Sequence, residues 1–235
     1  SIELTNTVIV MSYDLTETNA AKTLERLLAN NPTLEALFIL EPTTSQDGRK
    51  LQALREILLQ HGFDLWAPCP HTGDCPLLKD SDKDWCHDRL VPALPSWWSE
   101  MEAHLPMKNR TITVSYLLAR KKKKNVSGPA MVRVIGDRLE EKTKIRQMIC
   151  RGPSREFISW FPSRLSRLQI ENSDFSVADF RLERGDLFQS HDTLWSDRRG
   201  HERSHEFRLD LQATQHIHET VVRHAHARKN VSETE

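Results

Sequence analysis

Residues 7–42, TVIVMSYDLTETNAAKTLERLLANNPTLEALFILEP, decide the fold class. Thr7, Val8, Ile9, Val10, Met11, Ser12 and Tyr13 form a near-continuous apolar run, the pattern of a strand buried on both faces. Ala20, Leu24, Leu27 and Leu28 then recur at helical spacing, with Thr16 or Thr18 placed to cap the helix. LEALFILEP, residues 34–42, reads as a second buried strand stopped by Pro42. In TTSQDGRKLQALREILLQHG, Leu51, Leu54, Ile57 and Leu58 mark a second amphipathic helix ending at Gly62. Strand, helix, strand, helix is the repeat of an α/β protein with a parallel sheet.

Downstream, SWWSEMEAHL (96–105) predicts a short helix entered after Pro95. RTITVSYLLARK (110–121) predicts a long strand, because Ile112, Val114, Tyr116 and Leu118 alternate with Thr113, Ser115 and Leu117. Residues 130–150 read as a hairpin of strands 130–136 and 143–150 that turns near Gly136–Asp137. SREFISWF (154–161) reads as a short helix capped by Ser154. Beyond about 165 the pattern weakens, and only DFRLERGDLFQ and HEFRLDLQA still suggest strands. Residues 213–235 are expected to be a loose helix or a disordered tail.

Charge is unevenly spread. The formal net charge is zero, yet residues 1–64 hold five Lys/Arg against nine Asp/Glu, and residues 108–155 hold fourteen against three. A segment that basic points to a polyanion, with a phosphate backbone the usual partner. Arg120, Lys121, Lys122, Lys123 and Lys124 end the long strand, and Arg133, Arg138, Lys142, Lys144 and Arg146 follow on the hairpin. Lys142, Lys144 and Arg146 alternate and so share one strand face. Together these cations are the candidate RNA contacts; the competing reading is a solvated loop beside an edge strand protected by charge. Trp66, Trp85, Trp97 and Trp98 crowd the neighbouring region, where packing is favoured over base stacking. No run approaches the roughly 18 apolar residues of a membrane span, so an intracellular protein with no membrane partner is expected.

Three of the four cysteines, Cys69, Cys75 and Cys86, fall within eighteen positions, and Cys150 lies far away. Four cysteines in 235 residues is sparse for a secreted disulfide framework. The C-x2-C pair of the commonest structural zinc sites is absent, although His71 and His87 can complete a Cys/His zinc site with the loop cysteines. A cluster of iron and sulfide is larger than one ion and tolerates wider spacings. Metal or cluster binding is thus one reading and unpaired structural thiols the other; spacing does not choose the metal. Cys150 closes the predicted strand KIRQMIC, and becomes a fourth ligand if that strand meets the loop.

The motifs CPHTGDCPL, DWCH, SYLLARK and RVIGDRLEEKTKIRQMICRG, in this order, resemble one family. It is the methyltransferase-like family of small-ribosomal-subunit assembly proteins, which includes mitochondrial methyltransferase-like protein seventeen and bacterial relatives. The resemblance covers roughly residues 5–160, where TVIVMSYDLTE is similar to the family's fourth core strand. It implies the C-terminal half of a Rossmann-like methyltransferase sheet with a cysteine-rich insertion, followed here by a small β-rich extension. The implied divisions are a partial core (1–66), a cluster-binding insertion (67–107), the final sheet strand with a basic hairpin (108–165), and a polar extension (166–235). It also implies a [4Fe–4S] cluster on Cys69, Cys75, Cys86 and Cys150, and binding to the small ribosomal subunit and its rRNA rather than DNA. The expected compartment is the cytoplasm in a bacterium or the mitochondrial matrix in a eukaryote.

S-adenosylmethionine is the family's expected cofactor, and Ser12 and Tyr13 would line one edge of its pocket in an intact protein. No G-x-G occurs anywhere in the chain, so the Gly-rich turn that cradles such a cofactor is missing and the chain as it stands is expected not to bind it unaided. An S-adenosylmethionine-dependent rRNA methyltransferase, with this chain its C-terminal part, is one alternative. A zinc-stabilised RNA-binding module is the other.

Overall fold

The computed structural model describes residues 7–15, 18–92, 94–106, 111–122, 130–166, 176, 180–189, 198–201 and 204–221. Two mixed sheets divide the chain between Arg120 and Met131, which establishes the α/β class.

The first sheet contains β1 (Val8–Ser12), β2 (Ala36–Glu41), β3 (Asp64–Ala67), β4 (Asp88–Leu90) and β5 (Ile112–Arg120). Helix α1 (Ala20–Asn30) makes the crossover between β1 and β2, which pair in parallel. Its cap is Asn19, whose side chain accepts from Lys22 N, rather than either predicted threonine. Helix α2 (Ser45–Gln60) is capped by Thr44 and closes on Gly62, whose φ of 80° suits glycine. The strand order is β1-β2-β5-β3, with β5 antiparallel to both neighbours and β4 pairing its first residues. The predicted all-parallel sheet is therefore corrected to a mixed one.

Leu24 and Leu28 of α1 and Leu51, Leu54 and Leu58 of α2 pack on Leu37, Ile39, Leu65 and Leu117. Both helices thus cover the same core, and β1 is an edge strand. Val8 and Val10 stay exposed, at 56% and 61%, so the sequence expectation that this run is buried on both faces does not hold. Strand β3 was not predicted, because four residues between a helix end and a cysteine loop carry little periodic signal.

Between β3 and β5 run α3 (Pro76–Lys79), β4 and α4 (Ser96–Ala103). The last of these matches the predicted helix, yet buries none of its residues.

The second sheet comprises β6 (Met131–Val134), β7 (Leu139–Glu140), β8 (Ile145–Cys150), β9 (Glu156–Trp160), β10 (Leu187–Gln189), β11 (Arg198–His201) and β12 (Ser204–Arg208), in the order β10-β6-β8-β9-β12-β11 with β7 beside β8. The predicted hairpin is present as the antiparallel pair β6–β8. The predicted helix at 154–161 is instead β9, all five of whose residues are buried. In a central strand flanked by β8 and β12, Phe157, Ile158 and Trp160 are all buried, so the segment lacks the apolar–polar alternation that marks a strand. A four-residue helix, α5 (Pro162–Leu165), follows it, and α6 (Leu211–Thr220) accounts for the start of the expected tail.

One face of this sheet meets α6 in a core of Val132, Val134, Ile149, Ile158, Trp160, Phe180, Phe188 and Ile217. On the opposite face, register aligns Arg146, Ser159 and Arg208 in one row and Met148, Phe157 and Glu206 in the next. Arg133 and Cys150 form a further pair at the β6 side. This second face turns toward the cysteine loop. Gly136 lets the chain pass there: a Cβ on it would lie 2.7 Å from Met148 Cβ and 2.9 Å from Met148 N. Gly136→Ala is therefore expected to destabilise the protein by about 1–3 kcal/mol in thermal denaturation, because backbone cannot yield as a side chain does.

Candidate metal centre

The cysteine loop is organised from α2 and β5. Arg49 Nη1 donates to the carbonyls of Leu77 (3.0 Å), Ser81 (2.8 Å) and Asp84 (2.9 Å). Arg55, almost wholly buried, donates to the carbonyls of His71 (3.2 Å) and Gly73 (2.8 Å). Ser115 Oγ on β5 donates to the Cys86 carbonyl (3.0 Å). With its carbonyls tied in this way, the loop is held as a fixed backbone frame. Sequence reading missed both arginines, since cations on an amphipathic helix look like solvated charges; their position on α2 beside a polar loop was the available clue.

Cys69, Cys75, Cys86 and Cys150 all line one small cavity of about 20 Å³. Cys69, Cys86 and Cys150 are buried and Cys75 is partly exposed; none is in a disulfide. The chain therefore does bring Cys150, at the end of β8, to the loop of the first sheet. Leu77, Ile135 and Met148 pack around Cys75, Cys86 and Cys150 as a small core between the sheets.

Beside the thiols lie groups that suit an anionic body. Gln52, Arg55 and Arg133 line the cavity, and Gln52 Nε2, Arg55 Nε and Arg133 Nε are buried without a hydrogen-bond partner among the described residues. His71 Nε2 is 3.3 Å from Cys150 Sγ. Burial, reinforced by the Arg55 charge, lowers the His71 pKa to about 4, so its ring is neutral near pH 7. Burial pushes the Cys86 thiol up to about 12, against the pull of Arg133, and burial plus the other three cysteines push Cys150 well above the ordinary thiol range. Thiols held protonated in this way ionise only against a strongly cationic centre.

A [4Fe–4S] cluster fits the chemistry of these residues: four cysteines for its irons, unpaired N–H groups for its sulfurs and the Arg55 guanidinium against its charge. Among the described residues, no three His, Cys, Asp or Glu side chains close on one point as a single ion requires. His87 stacks on Trp85 instead of lining the cysteine cavity, with ring centroids 5.2 Å apart.

The other candidate residues lie apart from this cavity, with one exception. Arg133 is inside, ion-paired with Asp88 and donating to Tyr116 Oη (3.3 Å); both partners of the pair are buried. Burial works against the Arg133 charge but Asp88 outweighs it, so Arg133 stays cationic and is withdrawn from the surface. This corrects its sequence assignment as an RNA contact. Arg120 stacks over Trp66 at 4.5 Å, and Lys121 donates to the Pro32 carbonyl. Lys122 and Lys142 are exposed, whereas Lys123 and Lys124 lie outside the described residues. Lys144 and Arg146 share Glu206, at 3.1 and 3.5 Å, and both also face Glu141. Near Arg146 lie cations that sequence reading did not select: Arg208 and Arg164 each stack on Phe161 at 4.7 Å, and Arg155 lies over Phe157 at 5.3 Å.

Ser12 and Tyr13 sit exposed at the carboxyl end of β1, and Tyr13 has a left-handed φ of 60°. Tyr13 N donates to the Leu40 carbonyl (2.9 Å), which fixes the turn beside buried Glu41.

Two mixed α/β sheets meet at a cavity lined by four cysteines. Over residues 2–172 the chain matches the family described as mitochondrial small ribosomal subunit Rsm22, a methyltransferase-like family, and it belongs to that family. Membership ties it to the small ribosomal subunit and translation. No curated protein matches the chain. Among the described residues, no helix is long and apolar enough to cross a membrane.

Proposed function

We propose that this protein serves small-ribosomal-subunit assembly by binding rRNA, with a structural [4Fe–4S] cluster on Cys69, Cys75, Cys86 and Cys150. One observation carries the reading: four cysteines from a loop of one sheet and a strand end of the other line a single cavity. The cluster, when bound, supplies charge and covalent ligation that hold the two sheets together. Arg55 opposes its charge, while Asp88 answers that of Arg133, and Gln52 and the two guanidiniums offer it their free N–H groups. The family's tie to the small subunit supports rRNA as the partner; in a eukaryote the site of action is the mitochondrial matrix. The first sheet, with its β1-β2-β5-β3 order and the cysteine loop inserted between β3 and β5, is read as the second half of a methyltransferase sheet used as a scaffold.

RNA contact on this reading falls to the row Arg146, Ser159, Arg208 and to exposed Lys142. Such cations neutralise phosphates and release counterions. The double variant Lys142→Glu/Arg208→Glu is expected to weaken binding to small-subunit rRNA about ten-fold or more and to flatten the dependence of log K on log salt, read by filter binding across a salt series. Unchanged affinity and slope would remove this face from the interface.

A further inference from the structure

We infer that the cleft between the cysteine loop and the second sheet is a binding site for a single unpaired RNA base. This deepens the rRNA-binding reading above and rests on it. The cleft holds about 410 Å³, large enough for a base with part of its ribose. One wall comes from the cysteine loop and carries Trp85, His87 and Arg89; the other comes from the second sheet and carries Leu139, Met148 and Phe157. The lining carboxylates are engaged, Asp137 by Arg89 and Arg184 and Asp84 by Arg155.

The walls have the chemistry of a base pocket. Trp85 and His87 are stacked with an interplanar angle of 27°, and the backbone of Gly48 on α2 comes so close that a Cβ there would lie 2.6 Å from Trp85 Cδ1. A platform backed in this way extends its stack by one more ring without rearranging. Trp85 Nε1–H is buried and has no hydrogen-bond partner among the described residues, and a base carbonyl or ring nitrogen supplies one. Met148 and Leu139 offer apolar contact to the opposite ring face, and Leu139 is 45% exposed.

Charge leads an RNA strand to this point. Phe157 in the cleft is flanked by the guanidiniums of Arg146 (4.7 Å) and Arg155 (5.3 Å). Register places Met148 and Phe157 one row from Arg146 and Arg208 on the same sheet face. Phosphates following that row therefore deliver a base to the aromatic wall. Because the two walls belong to different sheets, the joint at Cys150 also sets the width of the cleft.

The test compares the full chain, purified without oxygen, on a short single-stranded RNA and on a duplex with the same number of phosphates. Single-stranded RNA is expected to bind roughly ten-fold tighter, the increment of one stacked base. Leu139→Glu, an exposed change that puts an anion in the cleft, is expected to remove that difference and leave duplex binding intact. With 2-aminopurine in the single strand, quenching on binding is expected for the wild type and for Trp85→Phe, and not for Leu139→Glu. Equal affinity of the wild type for both RNAs, or a Leu139→Glu variant that retains preference and quenching, overturns the base site while leaving rRNA binding standing. Failure to bind either RNA overturns both.

Discussion

Replacing Cys150 with serine is expected to strip the protein of nearly all its iron. It is also expected to lower its thermal midpoint by an amount on the order of 10 °C. A group held at a thousand times its dissociation constant contributes about 4 kcal/mol to the folded state, and each kcal/mol moves a chain of this size by about 2–4 °C. On the proposed reading the effect is larger than a buried Cys→Ser change in isolation, because Cys150 is the cavity's one cysteine from the second sheet. The other contacts between the sheets are the small apolar core of Leu77, Ile135 and Met148 and polar pairs such as Arg155 with Asp84 at 2.7 Å and Arg155 N with Asp80 at 3.2 Å. Iron content and a melting curve for the anaerobically prepared variant check this. Full iron and an unchanged midpoint would make Cys150 a simple buried thiol.

Asp88→Ala is expected to destabilise the protein by about 3–5 kcal/mol in urea denaturation, the cost of leaving a buried charge without its partner. Arg133 is only 2% exposed, and apart from Asp88 its recorded hydrogen-bond partner is the Tyr116 hydroxyl. Burial raises the Tyr116 pKa, so that hydroxyl stays neutral and cannot replace the carboxylate. The double variant Asp88→Leu/Arg133→Met is expected to recover most of the loss, since well-packed apolar side chains replace a buried pair at little cost. A stable Asp88→Ala protein would mean that Arg133 is neutralised by another group. The pair joins β4 of the first sheet to β6 of the second, with Arg133 directly opposite Cys150 in register, so it reinforces the same joint.

Much of the first sheet was legible because its elements obey local rules. Leu24, Leu28, Leu51, Leu54 and Leu58 appear at helical spacing in the chain and in the core. Exposure of Val8 and Val10 was not legible, because an apolar run does not say whether its strand lies at an edge. Phe157, Ile158 and Trp160 misled for a related reason: five buried residues in a row erase the alternation that separates strand from helix.

The cysteine spacing left metal or cluster binding and unpaired structural thiols both open, and the family resemblance implied Cys150 as the fourth of the set; folding brings all four to one cavity. Local sequence did not reveal the arginines that build the frame. Arg49 and Arg55 act through carbonyls that lie between sixteen and thirty-five positions away, a pairing that only folding creates. Arg133 shows the opposite error. It sits among surface cations in sequence, yet register with Cys150 turns it inward to Asp88. Lys144 and Arg146 were read correctly as sharing a face, but Glu206, sixty residues or more away, shares it with them.

The central claim is that four thiols from two sheets hold one iron–sulfur body. Quantifying iron, acid-labile sulfide and zinc in protein purified without oxygen tests it most directly, with a Mössbauer spectrum on the same sample. The account predicts iron and sulfide in equal amounts, close to four of each per chain, with the isomer shift of a cubane cluster. A colourless protein with one equivalent of zinc, or with no metal at all, would contradict it.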